Sequence, residues 1–293
     1  MGKYWSFDPD VIFLNHGSFG ATPNQVMEEQ TRIQTHLESD PVRFFEREAF
    51  DLMNEASKKL SNFINAEPNG MTFCQNATSG VNTVLRSLIL KQGDEIIIPN
   101  HSYQACWNAI DFVASRWGAK VIIVDLPFRC ESEEEIIEPL LGAITPRSVL
   151  AMIDTVTSPT GLRMPFEKLV HEFQSRGVDV LLDAAHGPGL VPMDLMKLDA
   201  AWVTGNCHKW LCSPKGSAFL HIREDKKKET KPLTISLAIM QIYHHRKNSD
   251  SNLTGRGLGT LVQFYASPNL LRFFNQWYQE VLMRLWTTII LLL

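Results

Sequence analysis

The sequence predicts an α/β fold in which a mostly parallel sheet carries helices on both faces. Three short apolar runs, at 94–99, 149–154 and 178–182, are bounded by Gly, Pro or Asp, which is typical of buried strands. Apolar residues also recur at helical spacing, as in the series Val81, Val84, Leu85 and Leu88. Strands that alternate with helices at this pitch predict parallel pairing, because each crossover returns the chain to the same edge.

The N-terminal part of the chain is predicted to be helical. Thr22 and Pro23 are expected to be the N-cap and the first residue of a helix. The segment DPVRFF at 40–45 breaks this helix, and a second helix is expected to continue to about Asn65. The apolar stripe of the first helix consists of Val26, Ile33 and Leu37.

The middle of the chain alternates between strands and helices. A short strand at 71–74 precedes a helix that begins in NATSG at 76–80, and further strands follow at 94–99 and 120–124. A glutamate-rich stretch at 130–138 indicates a solvated helix start. The helix after 94–99 is expected to point four side chains inward: Trp107, Ile110, Val113 and Trp117.

The same alternation continues as far as residue 220. A strand at 149–154 is followed by the turn SPTG at 158–161 and by a crossover helix at 166–176. After the strand that ends in Asp183, two more strands are expected at 200–203 and 216–220.

The chain changes character near its end. A run of charges at 223–231 indicates a surface loop or linker, and the apolar stretch at 285–293 is far shorter than the ~20 residues of a membrane span. We therefore expect a large domain at 1–231, including an N-terminal segment at 1–65. An incomplete or divergent C-terminal small domain is expected at 232–293.

Composition excludes several classes of function. The 293 residues are 44% hydrophobic and carry a net charge of −4, which gives no basic surface for nucleic acid. Five scattered cysteines indicate reduced thiols in a cytoplasmic protein, and no ligand spacing predicts a metal site. The N-terminus has no apolar core of a signal peptide, so neither export nor membrane attachment is expected.

A carboxylate and a lysine follow successive expected strands in the second half of the chain. Asp183 ends the run VDVLLD, and Lys209 follows the strand at 200–203. Pyridoxal phosphate chemistry uses this pair, since a lysine amine forms a Schiff base with the cofactor aldehyde and a carboxylate keeps the pyridine nitrogen protonated. His186 could reach the phenolic oxygen of the ring, and His208 could donate to the phosphate. Taken singly, a lysine is more often a solvated surface charge and an aspartate at a strand end more often a cap.

The segment NATSG at 76–80 adds an anion-binding pattern. Small residues at a helix N-terminus after a strand leave backbone N–H groups free, and these groups and the helix dipole favour phosphate. Ser and Thr also cap many helices that bind nothing, so the pattern gains weight only beside the Asp183–Lys209 pair.

Three motifs together resemble the class V aminotransferases, a family of fold-type I pyridoxal phosphate enzymes. They are FLNHGSFG at 13–20, DAAH at 183–186 and TGNCHKWLCSPKG at 204–216. Within the family, the chain most resembles the isopenicillin N epimerase-like proteins, which carry a signature similar to FLNHGSFG. The resemblance extends from about residue 13 to about residue 220 and weakens beyond 236.

The resemblance implies roles for several further residues. Ala77 and Thr78 match the positions that cradle the phosphate. Asn15 and His16 are expected on the substrate side of the cofactor, although a plain entry loop explains the segment equally well. Either Tyr103, which we favour, or His101 is expected to stack on the pyridine ring. Arg43 could contact substrate or a second subunit, although a surface arginine is the commoner case, and fold-type I sites imply a homodimer.

The expected activity is pyridoxal phosphate-dependent chemistry at Cα or Cβ of an amino acid, with Lys209 as Schiff base and proton-transfer base. Epimerisation, desulfuration or β-elimination, and transamination all remain open. An alternative is a protein that binds the cofactor but turns over poorly, because the small domain that usually supplies the arginine for the substrate carboxylate is not recognisable after about residue 236.

Overall fold

A computed structural model describes residues 4–235 of the chain and contains one seven-stranded sheet. The strand order is β1-β7-β6-β5-β4-β2-β3, and β7 runs antiparallel to both of its neighbours while the other pairs are parallel. The predicted α/β fold with a mostly parallel sheet is confirmed. The strands are β1 Met71–Cys74, β2 Glu95–Pro99, β3 Lys120–Val124, β4 Ser148–Asp154, β5 Asp179–Ala184, β6 Trp202–Asn206 and β7 Ala218–Ile222.

Eight α-helices occupy the described part of the chain. They are α1 Asn24–Ser39, α2 Pro41–Arg43, α3 Ala49–Phe63, α4 Ala77–Ser87, α5 Gln104–Trp117, α6 Glu134–Gly142, α7 Phe166–Ser175 and α8 Leu195–Leu198. A π-helical turn, Phe44–Glu48, joins α2 to α3. The break predicted at 40–45 is therefore present, but the chain resumes helical geometry at once because Asp40 caps α2 by accepting from the Arg43 amide.

Helices cover both faces of the sheet, and each face has its own apolar core. Alternation along the strands divides the side chains, so that Ile153 and Leu182 point into one core while Met152 and Leu181 point into the other. The first core is completed by residues of α3, α6 and α7, and the second by residues of α4 and α5. The prediction of helices on both faces is confirmed.

Two predicted boundaries and one predicted burial were wrong. Pro23 rather than Thr22 is the N-cap of α1, since its backbone is extended there. The strand predicted at 200–203 begins at Trp202 and continues to Asn206, because the Ala201 amide donates to the side chain of Gln174 instead of entering the ladder. Trp117 was predicted to point inward but is 43% exposed at the end of α5.

The charge run at 223–231 lies at the surface, as a surface loop would, but it is tied to the sheet. Its first residues form a 3₁₀ turn, Glu224–Lys226, and Lys226 makes an ion pair with Asp179 at 2.5 Å. Thr230 is buried and accepts a hydrogen bond of 2.9 Å from the indole of Trp202. Such contacts hold the segment against the sheet, which the charge pattern alone did not indicate.

Of the small domain predicted at 232–293, all residues beyond 235 lie outside the described part of the chain. The apolar stretch at 285–293 lies there too. Within 4–235, no helix combines the length and the apolar character needed to cross a membrane.

Candidate active site

Lys209 lies in the connection between β6 and β7, which is closed at its base like a hairpin. The backbone amides of Cys207 and His208 both donate to the carbonyl of Ser217, at 3.0 and 3.2 Å. His208 adds a third bond, from Nδ1 to the same carbonyl oxygen at 2.8 Å. These bonds fix the loop relative to the strands and leave the Lys209 side chain half-buried above the sheet edge.

The amine of Lys209 contacts a histidine that follows the neighbouring strand, β5. Its Nζ lies 3.0 Å from Nε2 of His186, in the turn after β5. The other nitrogen of His186, Nδ1, accepts a bond of 3.3 Å from the indole Nε1 of Trp210. DAAH and HKW, two motifs that are far apart in the sequence, therefore meet at this point.

Two buried carboxylates form the floor of the site. Asp154 and Asp183 occupy partner positions at the carboxyl ends of β4 and β5. Asp183 accepts from the Ala185 amide at 2.9 Å and from the Cys106 thiol at 3.3 Å. Asp154 accepts from the Ser102 hydroxyl at 3.0 Å. Parallel strands end at one edge of the sheet, so both acids face the crevice in which ligands bind to folds of this type.

Charge and burial shift the pKa values of these groups in different directions. Burial raises the pKa of Asp183, and burial and the charge of Asp183 raise the pKa of Asp154 well above its usual range. Burial lowers the pKa of the Lys209 amine, although Asp183 opposes the shift. Burial and the nearby lysine lower the pKa of His186 to about 4, so its imidazole is neutral at pH 7.

The N-terminal loop packs directly on the backbone of the lysine loop. The amide of Gly20 donates to the carbonyl of His208 at 3.1 Å, and a methyl group at Gly20 would overlap the carbonyl oxygens of His208 and Lys209. Gly17 is similarly close, because a methyl group there would stand 3.1 Å from the Trp210 ring and 3.3 Å from the His186 ring. Glycine is therefore required at position 20, whereas a side chain at position 17 would need the rings of Trp210 and His186 to shift slightly.

Within this loop, the structure places the two predicted substrate-side residues differently. The ring of His16 lies beside the ring of Trp210, with centroids 6.0 Å apart, and its Nδ1 accepts from the Ala21 amide at 3.3 Å. Asn15 is exposed and forms bonds with Ser18 at 2.8 and 3.0 Å, which close a local turn. His16 thus reaches the lysine loop, whereas the bonds found for Asn15 stay within its own loop.

The N-terminus of α4 is attached to the end of β6. Asn206 accepts from the Ala77 amide at 2.8 Å, and Asn76 caps the helix by accepting from the Ser79 amide at 2.8 Å. The Ala77 amide, which the resemblance assigned to phosphate, is therefore already used. The amide and hydroxyl of Thr78 make no hydrogen bond to other residues in the range 4–235, so they remain open to a ligand.

The turn after β2 holds both candidates for stacking on a ring. His101 is buried, and its Nδ1 lies 3.1 Å from the hydroxyl of Thr160 in the turn after β4. Tyr103 is 43% exposed at the N-terminus of α5. Both remain candidates. Arg43 lies at the surface, where it makes a 3.0 Å ion pair with Glu48, as a surface arginine would.

Three contributors to the site were missed in the sequence. Trp210 was read only as a neighbour of Lys209, Asn206 only as part of a motif, and Cys106 only as a reduced thiol. Trp210 and Asn206 do stand in TGNCHKW, so their sequence proximity to Lys209 was a usable signal. Cys106 lies 77 positions from Asp183, and only the packing of α5 on the sheet brings the two together.

The donors and acceptors fit the cofactor expected from the sequence. Asp183 is a buried acceptor suited to a protonated ring nitrogen, and Thr78 supplies unused donors at a helix N-terminus for a phosphate. Two buried carboxylates beside one lysine also leave the site short of positive charge, which a cationic ring would offset.

Two proteins of known name are similar in sequence to this chain. The chain is 33% identical over 234 residues to isopenicillin N epimerase of Streptomyces clavuligerus, which covers 79% of this chain and 58% of that protein. It is 32% identical over 232 residues to a probable chloroplastic L-cysteine desulfhydrase of Arabidopsis thaliana, covering 74% of this chain and 49% of that protein. The chain thus spans between about half and three-fifths of these two relatives.

Solved structures share the fold. The cystine C-S lyase C-DES, in complex with its reaction product cysteine persulfide, superposes with a TM-score of 0.76 at 20% identity, covering 97% of this chain and 72% of that one. A second structure of C-DES, with glycine covalently linked to the PLP cofactor, gives a TM-score of 0.75 at 20% identity. It covers 97% of this chain and 71% of that one. The sequence model described as Aminotransferase class-V matches residues 12–280, most of the chain, and this protein therefore belongs to the class V aminotransferase family.

Proposed function

We propose that this chain forms the cofactor-binding part of a pyridoxal phosphate-dependent enzyme that acts at Cα or Cβ of an amino acid. The observation that carries the proposal is the half-buried amine of Lys209, held 3.0 Å from His186 above the buried carboxylate of Asp183. When bound, pyridoxal phosphate supplies an aldehyde for a lysine amine and an electron-withdrawing ring.

Each residue of the site has a distinct task in this proposal. Asp183 holds a proton on the ring nitrogen, because a buried anion stabilises a cation at hydrogen-bond distance. Thr78 binds the phosphate with its amide and hydroxyl, and His208 supports it from the lysine loop. Tyr103 or His101 covers one face of the ring. The bonds from Ala185 and Cys106 orient the Asp183 carboxylate before any ligand arrives.

Lys209 would serve first as the nucleophile that binds the cofactor and then, once the substrate amine has displaced it, as the base for the substrate. A free amine positioned over Cα can take up the proton there and return it, which is the requirement that epimerisation, β-elimination and transamination share. His16 and Asn15 are proposed on the substrate side, and the ring of His16 is held there against Trp210.

The reaction type remains open among these three. Relatives named isopenicillin N epimerase, L-cysteine desulfhydrase and hercynylcysteine sulfoxide lyase support either proton return at Cα or loss of a sulfur group from Cβ. They favour an enzyme over a cofactor-binding protein without turnover, the alternative considered from the sequence. A large domain at 1–231, a small domain at 232–293, a cytoplasmic location and a homodimer belong to the same proposal.

The test is to trap the cofactor on its lysine. After incubation with pyridoxal phosphate and reduction with borohydride, peptide mapping should find the pyridoxyl group on Lys209. The Lys209→Gln variant should lose this label, whereas Lys197→Gln, a change at a lysine in α8, should keep it. A label on another lysine, or no label in protein saturated with cofactor, would refute the assignment.

A further inference from the structure

We propose that Trp210 is a positioning residue that acts through His186 to hold Lys209 as a free amine. The inference rests on the proposed function of Lys209 and concerns how the chain prepares that amine. It follows from the direction of two consecutive hydrogen bonds, Trp210 to His186 and His186 to Lys209.

The first bond fixes the tautomer of His186. An indole Nε1 carries a hydrogen and can only donate, so Nδ1 of His186 must present its lone pair to Trp210 at 3.3 Å. A neutral imidazole with a bare Nδ1 carries its hydrogen on Nε2. His186 is neutral at pH 7, since its pKa is lowered to about 4, chiefly by burial.

The second bond then fixes the protonation state of Lys209. Nε2–H of His186 is a donor and lies 3.0 Å from Nζ of Lys209, which can accept only as an amine with a free lone pair. An ammonium group at Lys209 would have to donate to Nε2, which would move the imidazole hydrogen to Nδ1. That hydrogen would face the indole N–H, and the bond to Trp210 would be lost.

Other groups near Lys209 act on the same equilibrium. Burial lowers the pKa of the amine, whereas Asp183, Cys106 and Asp154 raise it. The two carboxylates, on β5 and β4, carry the negative charge that favours the ammonium form, whereas the Cys106 thiol on α5 stays protonated at pH 7 because burial raises its pKa. The Trp210–His186 pair opposes this effect from the side of the lysine loop, because it favours the free amine of Lys209. Only the free amine can attack an aldehyde or remove a proton, so this opposition favours the nucleophilic state.

The packing around His186 supports a defined ring position. Gly17 passes close enough that an added methyl group would stand 3.3 Å from Cε1 of His186. The carbonyl of Trp210 lies against Gly189, where a methyl group would come within 2.8 Å of it. Backbone thus lies close to the His186 ring and to the Trp210 carbonyl, which limits movement of the two segments relative to each other.

The decisive variant is Trp210→Phe, which removes the indole N–H and retains an aromatic ring beside His16. The reactivity of Lys209 toward acetic anhydride is measured as a function of pH on the complete 293-residue chain after the cofactor has been removed, by peptide mass spectrometry. The exposed Lys91 in the same sample serves as an internal reference, and Trp117→Phe, at an exposed tryptophan, is the matched control.

We expect the midpoint of Lys209 labelling to rise by about 0.5–1 pH unit in Trp210→Phe, as expected for the loss of one neutral hydrogen bond. Trp117→Phe should leave it unchanged. In a His186→Phe background, the further change Trp210→Phe should have no effect, because the tryptophan acts only through the histidine. An unchanged midpoint in Trp210→Phe, or an equal rise with and without His186, would overturn the proposal.

Borohydride trapping on the same preparations separates this inference from the proposed function. Trapping on Lys209 with an unchanged midpoint refutes the role of Trp210 alone. A raised midpoint without trapping supports the hydrogen-bond relay and counts against the proposed function. Thermal unfolding of each variant shows whether a change in labelling reflects loss of the fold.

Discussion

Asp154 and Asp183 lie on parallel strands in the middle of the sheet, whereas Lys209 lies on its antiparallel side, in the β6–β7 connection. Ladder hydrogen bonds hold the two acids in register on β4 and β5. The lysine instead depends on contacts from distant segments, among them the backbone of Gly20 and the ring of His186.

The two acids contribute charge to the site, whereas the contacts around the lysine loop set the position of the reactive amine. A change at Asp183 should alter charge while the backbone stays in position, because β4 and β6 hold this position of β5 on both sides. A change around the lysine loop should move the reactive group itself. Four substitutions test this distinction, in order of expected effect.

The largest effect is expected from Gly20→Ala. The new methyl group would overlap the carbonyl oxygens of His208 and Lys209, so the two loops must separate and the 3.1 Å bond from Gly20 to His208 must break. Overpacking of this kind costs about 1–3 kcal/mol and occasionally more. We expect a lower unfolding temperature and loss of borohydride trapping on Lys209.

Gly142→Ala is the matched control, because no atom lies within 4 Å of a methyl group added at Gly142. If Gly20→Ala traps cofactor as the parent protein does, the N-terminal loop does not position Lys209.

The second effect is chemical and concerns Asp183→Asn. The amide has the same shape but cannot stabilise a proton on the ring nitrogen, so the cofactor should still bind. Loss of one preorganised electrostatic partner typically slows a reaction by ~10²–10³-fold, and we expect Cα exchange to slow by about that factor. Solvent deuterium uptake by a panel of amino acids measures it.

Asp179→Asn, at the opposite end of β5, should exchange at the parent rate. Equal rates for Asp183→Asn and the parent would remove Asp183 from its role, and loss of the fold in the variant would contradict its assignment to chemistry rather than placement.

The third substitution, Asn206→Ala, tests the attachment of α4. It leaves the buried amide of Ala77 without its 2.8 Å acceptor, which costs about 1–3 kcal/mol. We expect a lower free energy of unfolding and weaker cofactor binding, measured by denaturant titration and by cofactor absorbance. The control, Asn108→Ala, removes an exposed amide from α5. Unchanged affinity would mean that Asn206 does not support the phosphate end.

The smallest effect is a pH dependence that originates on the antiparallel side. His221 on β7 is buried, and neither ring nitrogen has a hydrogen-bond partner among residues 4–235. Burial lowers its pKa from 6.5 to about 4. The unfolded chain binds this proton below pH 6.5 and the folded chain only below about 4, so stability falls as the pH drops through this window.

We expect this histidine to cost about 1 kcal/mol at pH 5.5 relative to pH 7, since one pKa unit corresponds to ~1.4 kcal/mol. His221→Leu should remove that part of the acid sensitivity in denaturant titrations at the two pH values. His171→Leu, at an exposed histidine, should not. An equal loss of stability in His221→Leu and the parent would contradict the assignment.

The sequence by itself determined the fold class and the order of its elements. Apolar runs of strand length, separated by helical spacing, allow few arrangements other than a mostly parallel sheet with helices on both faces. Motifs at 76–80, 183–186 and 204–216 also indicated the chemistry. They supply the residue types that a phosphate, a pyridine nitrogen and an aldehyde, respectively, require. What they could not supply was the exact start of β6, since Ala201 looks like a strand residue until Gln174 accepts its amide hydrogen.

Only the tertiary structure decided which partners each group has. The spacing of Ala77 suggested a phosphate donor, but packing of α4 on β6 commits its amide to Asn206. Cys106 meets Asp183, and Trp210 meets His186, across 77 and 24 positions of sequence. Hydrogen bonds depend on distance and direction to within a fraction of an ångström. Local sequence patterns carry no such information, so the partners of Lys209 and Asp183 became visible only once the sheet had brought the strand ends together.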